Sequence, residues 1–225
     1  YPGLARSGIE QALGCRALFL PGCFANIRPR IIGADGGFAA ATESELRTVA
    51  GELASSVVGT VRALRTEVQA GIRGRVADIT MPFGTPMAPA KREVFIVEEP
   101  GTAQARFMRQ WALEVQSTIA AGKLPTAESS QMQMLKIGPL TIVMIPGEPV
   151  QEIGHAIEAE WDGTAACESL WPCGYCNDLI GYLSTARHHE EGGYEPNAYP
   201  YFNRPLPFKD EEAVLLDGAR RLLAD

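Results

Sequence analysis

The alternation of apolar and polar positions places a buried strand at the centre of this chain. Residues 140–145, Leu-Thr-Ile-Val-Met-Ile, are strand formers and apolar on both faces. Pro146 ends that strand and Gly147 permits a tight corner. Glu148 therefore stands at the mouth of a buried sheet, just before a helix predicted over 150–161. Residues 130–137 alternate, with Met132 and Met134 on one face, and Gly138-Pro139 turns this strand into the next, which predicts a hairpin. One helical stripe runs through Leu46, Val49, Leu53, Val57, Val61 and Leu64 and is expected to face the core. Thr42 and Glu45 open it as a capping box. A second stripe, Phe107, Trp111, Val115 and Ile119, predicts a helix over 103–121. Leu4, Ile9 and Leu13 mark a first helix stopped at Gly14, and Val214, Leu215 and Leu222 a last one capped by Asp210.

Shorter elements fill the gaps. Residues 16–20 read as a short apolar strand, residues 71–83 as a strand alternating at Val76, Ile79 and Met81, and residues 167–175 as a further strand. Residues 85–90 are a Pro-rich connection, and 92–97 fit either a short strand or the start of a helix. Dense Pro and Gly make 21–37 a shaped loop, and 197–208 a tail laid over the surface or over a site. A helix near residue 1 feeding an apolar strand suggests that a preceding segment supplies partner strands. Together these elements predict an α/β fold, with helices packed on β-sheets and no repeat or interdomain linker.

Composition adds limits rather than a function. The 225 residues suit one domain, and 46% hydrophobic content suits an ordinary core. A net charge of −7 speaks against a general attraction to nucleic acid. No apolar run reaches membrane-spanning length. The sequence opens on Tyr1 with no secretory signal, so the compartment stays open. Five Cys, an odd and low number, exclude a disulfide scaffold. Cys173 and Cys176 form one C-x-x-C. Buried thiols, a single disulfide, or structural zinc with Cys167 are the readings it leaves.

The chemistry visible residue by residue is sparse. The three His are His155, His188 and His189. There is no HExxH, no zinc-deaminase pattern, no GxGxxG, no P-loop lysine and no G-x-S-x-G elbow. Gly-rich turns in 21–37 can present backbone N–H groups to an anion or a reacting oxygen. Arg28 and Arg30 suit a carboxylate partner or plain solvation. Glu148 reads as a helix cap or as a ligand. These residues alone support an α/β globular domain with hydrolysis among its options.

Four segments resemble the catalytic domain of the neutral/alkaline, non-lysosomal ceramidase family in its shorter bacterial branch. They are Phe19-Leu20-Pro21-Gly22-Cys23-Phe24-Ala25-Asn26-Ile27-Arg28-Pro29, the run 137–148, the segment 177–185, and Gly192-Gly193-Tyr194-Glu195. The opening Tyr1-Pro2-Gly3-Leu4-Ala5-Arg6 also resembles a stretch that follows an Asp inside that domain. The likeness spans nearly the whole chain, which would make residues 1–225 the C-terminal half of one hydrolase domain. It implies hydrolysis of the amide bond of an N-acyl substrate at an active-site zinc. Glu148 matches the metal-binding Glu after the Pro-Gly corner, Tyr182 the metal-binding Tyr, and Tyr194 a second catalytic Tyr that contacts the reacting group. The family's two zinc His lie upstream of the matched region, and none of the three His falls at their positions. The resemblance therefore implies a companion chain or upstream segment that carries them, as in a proteolytically processed two-chain enzyme. It leans toward a secreted or periplasmic setting and leaves a homo-oligomer open. The loop departs from the family's Gly-Asp-(Val/Ile)-(Ser/Asn)-Pro, placing Arg28 where some members have Ser. Arg28 and Asn26 are expected to contact substrate, and a guanidinium suits an acyl group bearing a carboxylate. The rival expectation is a non-catalytic homologue that binds a lipid or peptide-like ligand.

Overall fold

The computed structural model describes residues 1–63, 71–97, 101–163 and 168–224. Its contacts divide into two units: Tyr1–Pro21 with Ile27–Gln69, and Gly22–Asn26 with Ala70–Asp225.

The first unit is a helix pair, α1 (Pro2–Leu13) and α2 (Glu43–Ala63). Gly14 ends α1 in the left-handed region at φ 67°, as its position after Leu13 predicts. The capping box forms: the Glu45 N–H donates to Thr42 Oγ1 at 3.3 Å, and the Thr42 N–H donates to Glu45 Oε2 at 2.8 Å. The two helices approach through small residues. Ala5, Ala50 and Ala54 are buried, and a Cβ on Gly8 would lie 3.2 Å from that of Ala54. This corrects the expected core stripe. Leu46, Val49, Leu53 and Val57 are only half-buried and Val61 is exposed, because the partner α1 is short and touches the Ala row. Leu64 lies outside the described residues. Residues 16–20 form no strand. They have no pairing partner among the described residues, and Leu18 is 91% exposed.

The second unit is built on a mixed sheet of order β1-β2-β3-β5, formed by β1 (Ile72–Pro82), β2 (Ala127–Ile137), β3 (Leu140–Met144) and β5 (Ser169–Cys173). β2 and β3 are the predicted hairpin, closing at Ile137 opposite Leu140, and β5 runs parallel to β3. Cys167, the predicted first residue of that last strand, lies outside the described residues. The inner face of β1 carries Ala77, Ile79 and Met81. Val76 is 58% exposed, one residue out of phase with the expected alternation. α7 (Glu211–Leu223) covers β1 and β2, and α5 (Gln151–Trp161) packs on β5. Between them Met132, Val143, Ile145, Ile153, Ile157 and Leu215 form a continuous core.

Residues 92–97 resolve into a helix, α3 (Pro89–Val97), which packs with α4 (Ala103–Ala120) around Trp111. The aromatic-rich segment 197–208 is not a surface tail. Tyr199, Leu206 and Phe208 are buried, and Trp111 Nε1 donates to the Arg204 carbonyl at 2.8 Å. Asp210 occupies the N-cap position of α7 at φ 58°, yet its side chain makes no capping bond. A second, two-stranded parallel sheet pairs β4 (Glu148–Pro149) with β6 (Tyr182–Leu183). No described helix is long and apolar enough to cross a membrane.

Candidate functional site

The site begins where β3 ends. Ile145 is fully buried, its N–H held by the Cys173 carbonyl at 2.8 Å, so the chain leaves the main sheet from a fixed point. Pro146 prevents continuation, and Gly147 turns at φ 89°. A Cβ on Gly147 would sit 2.4 Å from the Gly181 carbonyl oxygen, so only glycine admits this approach. The corner delivers Glu148 into a short parallel ladder. The Glu148 N–H donates to Gly181 O at 2.8 Å and the Val150 N–H to Leu183 O at 3.0 Å, which sets Glu148 directly opposite Tyr182.

The Glu148 carboxylate is buried between two phenols. Tyr182 and Tyr175 both lie close enough to it for its negative charge to act on their phenols. Burial, followed by the negative charge of Glu148, pushes Tyr182 above the ordinary phenol range. The same causes raise Tyr175 to about 12. Both are therefore protonated donors at neutral pH. Tyr175 was missed by the sequence reading. It is held at φ 56°, an uncommon backbone state for a bulky residue, with its N–H on Gly147 O at 2.8 Å and its ring 4.9 Å from that of Phe24.

Aromatic rings wall the open side. Tyr194 is 58% exposed and meets Tyr182 edge to face at 5.6 Å, while stacking on Tyr201 at 6.4 Å. Phe202 meets the Tyr182 ring at 5.7 Å. Arg204 lies under this wall, buried, with its guanidinium 3.8 Å from the Phe208 ring centre. A Cβ on Gly181 would run into that guanidinium, so Arg204 packs directly against the loop before Tyr182. Desolvation lowers its pKa to about 10, and Glu128 and Glu211 support the charge.

Asn26 accepts from the Gln151 N–H at 2.9 Å and donates to Glu152 at 2.8 Å, so both ends of its amide hold the start of α5. Arg28 belongs to the first unit, where its guanidinium lies 5.4 Å over the Phe38 ring. His155 is exposed on α5. His188 and His189 lie on α6 (Ala186–Glu191), where His188 pairs with Thr185 at 2.8 Å and His189 with Glu211 at 2.9 Å. Among the described residues no three His, Cys, Asp or Glu converge as a metal-holding group. Cys15, Cys23, Cys173 and Cys176 are free thiols.

No protein-family model matches the sequence, and no curated protein matches it. Solved structures do. The chain aligns with a structure described as a ceramidase complexed with C2 at a TM-score of 0.61 and 15% identity, over 98% of this chain. It aligns with the neutral ceramidase of Pseudomonas aeruginosa at a TM-score of 0.58 and 15% identity, over 99% of this chain. The chain spans 42% and 40% of the lengths of those two proteins. This is an α/β chain with a ceramidase-like fold.

Proposed function

We propose that this chain forms the carboxylate-and-phenol part of a zinc-dependent hydrolase that cleaves the amide bond of an N-acyl substrate. The observation that carries the reading is the register of Glu148 against Tyr182 across the β4–β6 pair. It joins one buried carboxylate to a phenol at the end of a rigid strand.

The donor chemistry fits part of a zinc shell. Carboxylate oxygen is an ordinary zinc ligand and its burial keeps competing water away. Glu148 and Tyr182 would hold the ion, and the two remaining ligands would be His from a companion chain or an upstream segment. Zinc, when bound, supplies Lewis-acid activation of water and of the scissile carbonyl. The chain's own residues do the rest. Tyr175, beside Glu148, is placed to orient its carboxylate. Tyr194, on the open side of the Tyr182 ring, binds the acyl oxygen as negative charge develops. Asn26 fixes the start of α5, just after Glu148 in the chain.

The test is amide hydrolysis and zinc content of the intact protein with any associated chain, compared with Glu148→Gln. The expected outcome is about one zinc per site in the unaltered protein and a loss of kcat/KM on the order of a hundredfold or more in the variant. Equal zinc and equal activity in both would refute the reading. Zinc-free protein that binds N-acyl ligands without turnover would establish the non-catalytic homologue instead.

A further inference from the structure

The main sheet has two faces, and α7 and α5 both lie on one of them. A Cβ on Gly218 of α7 would meet Met132 and Ile79, and Ile153 and Ile157 of α5 share a core with Val143 and Leu170. The residues between these along each strand point the other way. The pairing lines them up in rows across the sheet. Ile72 lies opposite Ile137, and Ile137 opposite Leu140. In the next row Gly74 faces Leu135, Leu135 faces Ile142, and Ile142 faces Trp171. Val76 begins a third row, which runs through Gln133 to Met144.

A sheet face that meets water is ordinarily polar. One end of this face obeys that rule. Thr80 lies opposite Ser129, and Gln131 donates to the Asp78 carboxylate at 2.7 Å. The other end does not. Ile72 is 71% exposed, Val76 58% and Trp171 50%, with Leu135, Ile137 and Leu140 half-buried between them. Exposed apolar side chains that are contiguous, rather than scattered singly, mark a contact surface. Gly74 has no side chain to fill the place between Ile72 and Val76. It leaves a hollow in the middle row that suits an incoming side chain.

The match to solved structures bears on what covers this surface. It uses 98% of this chain but only 42% of the first structure, and 99% against 40% for the second. More than half of each of those proteins thus lies outside the match. We infer that the apolar end of the open face is the docking surface for a second β-sheet, contributed by the part of a ceramidase-like fold that these 225 residues do not span. Two sheets packed face to face interdigitate their apolar rows, and Gly74 provides the hollow for one such side chain. Covering Ile72, Val76 and Trp171 removes apolar surface from water, which drives the docking. Asp78 and Thr80 stay at its polar rim. The inference rests on the fold and the open face, and it stands or falls apart from zinc binding and amide hydrolysis.

Thiol labelling of the intact protein, with every polypeptide that copurifies with it, tests this. Val76→Cys and Thr80→Cys put a thiol on the same strand and the same face, one at the apolar end and one at the polar end. Iodoacetamide should modify Val76→Cys about tenfold or more slowly than Thr80→Cys in the native protein, and at the same rate in urea. Val76→Asp should lower the urea midpoint of the intact protein, whereas Thr80→Asp, an equal change of charge on the same strand, should leave it in place. A benzophenone maleimide on Val76→Cys identifies the occupant by peptide mapping, and crosslinks to sequence outside residues 1–225 are expected. Equal labelling at the two positions in the native protein, or equal midpoints for the two Asp variants, would overturn the inference. Crosslinks confined to residues 1–225, within one chain or to a second copy of it, would overturn it as well.

Discussion

Gly147→Ala is the sharpest test of how the fold sets the candidate site. Gly147 sits at φ 89°, where a Cβ adds about 1–2 kcal/mol of backbone strain. The new Cβ would also meet the Gly181 carbonyl oxygen at 2.4 Å, far inside contact distance. That oxygen accepts from the Glu148 N–H at 2.8 Å, and the Gly147 N–H donates to Asp178 O at 3.0 Å. Relieving the clash lengthens both bonds, each contributing roughly 1 kcal/mol. The total loss is about 3–4 kcal/mol, a large share of the roughly 5–15 kcal/mol that holds a typical domain. Gly122→Ala is the control, because Gly122 also has a positive φ, 63°, but open space where the Cβ would go. It should lose only the strain of about 1–2 kcal/mol. Urea unfolding followed by tryptophan emission reads the second unit, since Trp111, Trp161 and Trp171 all belong to it. If the two variants lose equal stability to within about 0.5 kcal/mol, the β4–β6 approach is not what demands glycine at 147.

Three further outcomes follow from the same geometry. Asn26→Ala removes the acceptor for the Gln151 N–H and should lower stability by about 1 kcal/mol, with faster hydrogen exchange at the Gln151 amide; unchanged exchange would contradict the capping role. His189 is held charged by its hydrogen bond to Glu211, which raises its pKa above 6.5. Its contribution is complete below pH 6.5 and disappears as pH rises through the raised value, so Tm should fall between pH 6 and pH 8 more steeply than in His189→Gln; parallel profiles would exclude it. Burial, with smaller contributions from Cys173, Glu158 and Cys176, pushes the Cys23 thiol to about 12, whereas Cys15 is exposed. Iodoacetamide at neutral pH should label Cys15 well before Cys23, and comparable rates in peptide mass mapping would refute that burial.

Much of the local structure was legible because its causes are local. The capping box at Thr42 and Glu45 acts over three residues. Gly138 and Pro139 close a hairpin whose two strands adjoin in sequence. The Pro146-Gly147 corner follows from two residues with restricted and relaxed φ. The mis-read segments are those where packing decides. Residues 16–20 have strand-forming side chains but no partner among the described residues. Val76 is a good strand residue on the wrong face, because the pairing with β2 fixes the phase at Ala77. Residues 197–208, read as lying over the surface or over a site, take the second placement through Tyr201 and Phe202, but no period announced that Tyr199, Leu206 and Phe208 enter the interior.

The sequence by itself determined the elements, the Pro-Gly corner and, through short motifs, the candidate pair Glu148 and Tyr182. Only the tertiary structure decided that these two lie opposite each other, that Tyr175 joins them, and that Asn26 anchors a helix 125 residues away. Two-residue strands paired in parallel leave no periodic trace in a sequence, and a cap donated across the fold leaves no spacing to read. Such contacts exist only once the main sheet has fixed where its strand ends emerge.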